Sequence, residues 1–134
     1  MPDLDEARRM LRIARRDAKA LGAMSDSEVF EVELFGFEAQ QAVEKALKAW
    51  LALIGVEYPF IHDLETLFAL LEQQGQIIPD RFRNLEDLTA FAIQFRYAAF
   101  PDTAEQPDRD KLIRQVSSLL AHVEQLVREA EATG

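Results

Sequence analysis

The stretch that most constrains this chain runs from Glu28 to Ile54, without a proline and with a single glycine, Gly36. Its second half is written almost entirely in Ala, Leu, Lys, Glu and Gln, residues that lose little rotamer freedom in a helix. Apolar positions cover more of its circumference than one core-facing stripe needs, which predicts a central helix surrounded on most sides. Gln40, Gln41, Glu44, Lys45 and Lys48 nevertheless interrupt that apolar run. Polar side chains on a surrounded helix need either partners or a purpose.

The rest of the chain supplies helices to pack around it. Residues 4–21 carry an apolar stripe (Leu4, Leu11, Ala14, Ala18, Leu21) and a basic one (Arg8, Arg12, Arg15, Lys19), both at helical spacing. Gly22 is placed to end this helix, and Ser25-Asp-Ser-Glu28 has the form of a capping box for the next. Gly55 is a C-terminal cap for the central helix, and Pro59 forbids its continuation. His62-Asp63 opens a short third helix with Leu64, Leu67, Phe68 and Leu71 on its core face, closed by Gly75. Leu85, Leu88, Ala92, Phe95 and Ala99 mark a fourth helix, and residues 100–108, with two prolines, read as a loop. Leu112, Val116, Leu119, Val123, Leu126 and Ala130 give a last long helix from about 109 to 132. No segment alternates with period two. The expectation is a single all-α domain over 1–134, an up-and-down antiparallel bundle of four long helices plus one short helix.

Composition closes several routes. A chain with 49% hydrophobic and 29% charged residues is globular rather than disordered, and without cysteine it forms no disulfide, thiolate site or thiol nucleophile. The most apolar run, Ala49–Val56, is too short to span a bilayer. The opening Met-Pro-Asp-Leu-Asp-Glu has no apolar signal-peptide core, so a soluble cytoplasmic protein without membrane contact is expected. A net charge of −9 argues against a surface that is basic throughout. The charge is uneven: residues 1–24 hold six basic and four acidic residues, while the remainder holds nine and twenty. The basic stripe of the first helix therefore has two readings, a solvated face with local pairs such as Asp5–Arg9, or a phosphate-facing strip.

No phosphate loop, calcium loop, zinc-protease motif or nucleophile elbow is present. Glu31, Glu33, Glu38 and Glu44 invite comparison with carboxylate-bridged metal bundles. Those require Glu-x-x-His pairs, and Pro59 and Leu119 stand three residues before His62 and His122. No metal and no cofactor is expected. Candidate ligand-binding residues are Gln41, Lys45 and Lys48 on the central helix, His62 at a helix start, and Arg96-Tyr97. Against each stands a plain structural role: border residues with buried stems, a helix cap, or an ion pair beside a core tyrosine. An arginine held by a helix is a good anion clamp, and a neighbouring tyrosine stacks or donates a hydrogen bond. His122, mid-helix, has nothing to single it out.

The string Phe37-Glu-Ala-Gln-Gln-Ala-Val-Glu-Lys-Ala-Leu-Lys-Ala, followed by His62-Asp-Leu and then Phe95-Arg-Tyr, resembles the HEPN domain family over nearly the whole chain. The resemblance implies a helical bundle that is commonly a homodimer. It further implies association with nucleotide or RNA, often beside a minimal nucleotidyltransferase in a toxin–antitoxin-like pair. Many family members are ribonucleases with an arginine and a histidine a few residues apart. Here Arg96 is followed by Tyr-Ala-Ala-Phe-Pro-Asp-Thr-Ala, so only Arg96 carries over. The expectation is a binding module without catalysis of its own. The alternatives are a metal-independent endoribonuclease using Arg96 and His62, and a purely structural interaction bundle.

Overall fold

In a computed structural model, which describes residues 2–58, 60–94 and 108–133, helices joined by turns and loops make up the chain and no strand occurs among those residues. The elements are α1 (Leu4–Gly22), α2 (Val32–Leu53), α3 (Leu64–Gln73), a 3-10 segment (Asp80–Leu88), α4 (Thr89–Gln94) and α5 (Arg109–Thr133). The all-α class expected from the periodicity is the class observed.

α2 is the centre. Fifteen of its 22 residues are buried, α1, α3, α4, α5 and the 3-10 segment all pack on it, and Leu34, Glu38, Gln41 and Lys45 are among the positions left partly open. Its sequence explains how neighbours come so close: Ala39, Ala42, Ala46, Ala49 and Ala52 present no bulk, while Phe35, Leu47, Trp50 and Leu51 fill the gaps. Gly36 belongs to the same logic. A β-carbon there would lie 2.2 Å from the ring of Phe91 on α4, so only glycine lets that ring rest on the α2 backbone.

Helix ends follow local chemistry. Asp3 accepts a hydrogen bond from the Glu6 amide at 3.0 Å, and its own amide donates to the Ala52 carbonyl at 2.9 Å, pinning the start of α1 to the end of α2. Gly55 and Gly75 both adopt φ of 80°, the left-handed conformation that closes a helix at low steric cost. The amides that follow return to the helices, Val56 to Leu51 and Gln76 to Leu71. At the start of α5, Arg109 is buried, donates to the Met24 carbonyl at 3.0 Å and lies over the Phe35 ring at 4.8 Å. His122 on the same helix packs between Trp50 and Phe82, 5.2 and 5.8 Å between centroids, and burial lowers its pKa.

Two expectations are corrected. The central helix begins at Val32, not at a Ser25–Glu28 capping box, because the Asp26 side chain captures the Glu28 amide at 2.9 Å and makes a local turn instead. The start of the expected fourth helix is instead part of the 3-10 segment, and α-helical structure begins only at Thr89. Phe82, Leu85 and Leu88 are the buried positions, each three residues apart, and a three-residue repeat stays on one face only in a 3-10 helix. Residues 95–107, which include the rest of that expected helix and most of the loop, lie outside the described residues.

The Gly36–Phe91 contact makes a direct test. Gly36→Ala adds helix propensity, yet it should destabilise the protein by about 1–3 kcal/mol through overpacking. Adding Phe91→Leu should recover part of the loss. Urea unfolding of the single and double variants measures this, and a Gly36→Ala protein as stable as wild type would contradict the packing.

Candidate functional site

Gln40, Glu44 and Lys48 follow one another at intervals of four and form a single column on α2. All three are buried. Glu44 is the hub, its side chain 1% exposed. Its Oε1 accepts from Gln40 Nε2 at 2.9 Å and lies 2.8 Å from His62 Nδ1; its Oε2 receives Lys48 Nζ at 3.1 Å and Lys45 Nζ at 3.2 Å. The neighbouring column joins in, with Lys45 donating to Gln41 Oε1 at 3.0 Å and Gln41 donating to Gln40 Oε1 at 2.7 Å. Gln40 also donates to the His62 carbonyl at 3.0 Å, fixing the segment that leads into α3. Asp63 caps α3, accepting from the Glu65 amide and from Thr66 Oγ1.

The electrostatics follow from this geometry. Burial works against ionisation of Glu44. The hydrogen bonds from Gln40 and His62 and the charges of Lys45 and Lys48 outweigh it, holding the carboxyl below its ordinary value. An ionised carboxylate only accepts hydrogen bonds, so His62 Nδ1 carries the proton in this contact. In the neutral ring Nε2 is then the bare nitrogen, on a side chain that is 59% exposed. Within the hydrogen-bonded cluster one carboxylate is set against two ammonium groups, with Lys45 and His62 its more exposed members, and Glu38 adds negative charge beside Lys45 where it is ionised.

The network continues on the other side of Lys48. Its Nζ sits 5.5 Å from the centroid of the Tyr58 ring, and Tyr58 donates to Glu6 Oε2 at 2.8 Å. Burial and then Glu6 raise the Tyr58 hydroxyl to about 12, while the bond from Arg9 holds Glu6 low. These residues line a cleft of about 590 Å³ whose mouth carries the fully exposed ring of Phe60. Beside Lys45, Glu38 is pushed up to about 7, by burial first and then by the Asp17 carboxylate of α1.

Of the residues the sequence pointed to, Gln41, Lys45, Lys48 and His62 come together in one cluster. Arg96 and Tyr97 lie outside the described residues. Gln40 and Glu44, part of the family-like string but not among the candidate ligand-binding residues, are the buried centre. The four-residue repeat Gln40–Glu44–Lys48 was the signal for them. Tyr58, Arg9 and Glu6 had no such signal, because a loop and a different helix bring them in. On α1, Arg9 pairs with Glu6 rather than with Asp5, and Asp5 pairs with Arg8 of the basic stripe.

A bundle built around one central helix, with a buried carboxylate gathering two lysines and a histidine at its edge, defines a helical module with an ordered polar cluster. The chain belongs to the HEPN domain family: the family model for the HEPN domain matches residues 7–131, nearly the whole chain. Searches of curated proteins and of solved structures give no match. Among the described residues, no helix is long and apolar enough to cross a membrane.

Replacing Glu44 isolates the hub. Glu44→Gln leaves two buried or half-buried ammonium groups without their counter-charge and should cost about 3–5 kcal/mol at neutral pH. The carboxyl is depressed in the folded state, so its contribution is complete above the unfolded value of 4.5 and fades as pH falls through the folded one. Urea unfolding at pH 7 and pH 3 should therefore show a gap between wild type and variant that narrows in acid. A gap that is small at pH 7, or that widens in acid, would contradict the assignment.

Proposed function

We propose that this HEPN module is a homodimer that binds a nucleotide, free or at an RNA terminus. It does so beside a minimal nucleotidyltransferase partner and without catalysis of its own. The observation that carries the reading is the ordered set of donors in the Glu44 cluster. Lys45, Lys48 and His62 are held in place by a shared buried carboxylate, so an incoming phosphate meets donors that are already ordered. The adjoining cleft suits the remainder of such a ligand. Phe60 offers an exposed face for a base to stack on, and Glu6 and Glu57 offer acceptors to hydroxyl or amino groups. Arg96 and Tyr97 are assigned to the same ligand from the family resemblance.

A second reading, a metal-independent endoribonuclease, is favoured by one specific observation. A carboxylate that fixes Nδ1 of a surface histidine orients the other ring nitrogen for proton transfer, the arrangement that general acid–base catalysis uses. Arg96 would then steady the phosphate.

One set of variants separates the two. Calorimetric titration with ribonucleotides should show binding to wild type. Lys45→Ala and Arg96→Ala should each weaken it by about tenfold or more, as expected for the loss of a charge-assisted hydrogen bond. Incubation with structured RNA should give no cleavage that depends on His62. No nucleotide binding by wild type removes the ligand from the proposal, and cleavage that disappears in His62→Ala moves the protein to the second reading.

A further inference from the structure

A second concentration of cations lies away from the Glu44 cluster and shares no residue with it. Arg8, Arg12 and Arg15 on α1 face Arg128 on α5 across a groove of about 340 Å³, floored by the apolar Leu11 and Val127. A contiguous cleft sharing Arg15 and Glu124 extends the groove to Lys19. The α1 cations thus follow one another at four, three and four residues, a line about 16 Å long at the helical rise of 1.5 Å per residue.

The acidic residues present do not cancel this line. Glu131 pairs with Arg8 at 3.0 Å, Glu124 pairs with Arg15 and lies 3.6 Å from Arg128, and the almost wholly exposed Asp5 touches Arg8 at 3.2 Å. Three carboxylates against five cations leave two positive charges on a chain whose net charge is −9. Arg12, in the middle, makes no ion pair among the described residues. The carboxylates on α5 also prop Arg8 and Arg15 upright along the groove, so their remaining guanidinium hydrogens stay ordered.

We propose that the α1–α5 groove is a binding surface for the phosphodiester backbone of a single-stranded nucleic acid. A line of guanidinium groups a few ångströms apart matches a linear series of phosphates better than it matches one isolated anion. Guanidinium forks also bind phosphate bidentately. The groove runs between α1 and α5 over an apolar floor of Leu11 and Val127, so a strand laid along it meets the α1 cations on one side and Arg128 on the other. The contacts go to the backbone, so binding is indifferent to sequence and strongly weakened by salt. The surface stands independently of the nucleotide site at Glu44.

The full chain is titrated into a labelled oligouridylate of about ten nucleotides, and anisotropy is followed from about 50 to 200 mM salt. Wild type should bind at low salt. Arg12→Ala should weaken binding about three- to tenfold and flatten the salt dependence, and Arg12→Ala/Arg128→Ala should weaken it further. Glu124→Gln/Glu131→Gln should tighten it several-fold by removing competing carboxylates. Arg12 and Arg128 are exposed, and circular dichroism confirms that their removal leaves the fold intact. Several outcomes overturn the proposal: arginine variants that bind as wild type does, a polyglutamate peptide that competes as well as the RNA, or binding of inorganic polyphosphate without binding of the oligouridylate. Loss of binding in Lys45→Ala but not in Arg12→Ala overturns it too, and assigns the RNA to the Glu44 cluster.

Discussion

The structure depends on one buried charge. Glu44 sits on the helix that every other element packs against, where water does not solvate it, and an isolated carboxylate there would be untenable. Four side chains make it tenable. Gln40 and Lys48 come from one turn on either side of the same helix, Lys45 from the adjacent position, and His62 from across the α2–α3 connection. Two of the four, Gln40 and Lys48, are dictated by the period of α2, and Lys45 reaches across from the next column. The fourth requires that the chain return over α2 after Pro59, and the Gln40 bond to the His62 carbonyl is what holds it there.

That arrangement joins stability to recognition. The bonds that make Glu44 tolerable also order Lys45 and His62, so the groups that meet a ligand are positioned before it arrives. The position of Glu38 follows from the same crowding. Its carboxyl is raised to about 7 by burial and by Asp17, so its negative charge beside Lys45 is lost as pH falls through neutrality. Beneath this face the interior of the bundle is apolar and closely packed, as the glycine under Phe91 and the alanines of α2 require.

Much of this was legible in the sequence, for identifiable reasons. α1, α2, α3 and α5 were readable because long periodic patterns dominate local noise, and the left-handed caps were readable because Gly55 and Gly75 stand where the periodicity stops. The polar string Gln40–Lys48 was conspicuous as a contradiction, too many polar groups on a helix surrounded on most sides, and His62 was marked by its place at a helix start. The 3-10 segment was misread because Leu85, Leu88 and Ala92 also satisfy an α-helical spacing; only the added Phe82 reveals the repeat of three. The α2 start was misread because Asp26 outcompetes Ser25 for the local amide. Tyr58, Glu6 and Arg9 were invisible to periodicity, since their meeting depends on how a loop crosses two helices. The same holds for the partners of the basic stripe, which come from α5, more than a hundred residues away in the chain.

The central claim is that Glu44 is ionised and fixes His62 through Nδ1. Nitrogen-15 NMR of the imidazole ring, with histidine labelled and His62 assigned by the His62→Gln variant, reads this directly. The account predicts that neutral His62 carries its proton on Nδ1, with Nε2 bare. It further predicts that Glu44→Gln releases the ring to the mixture of tautomers seen in free histidine. A neutral His62 protonated on Nε2, or a tautomer unmoved by Glu44→Gln, would contradict it.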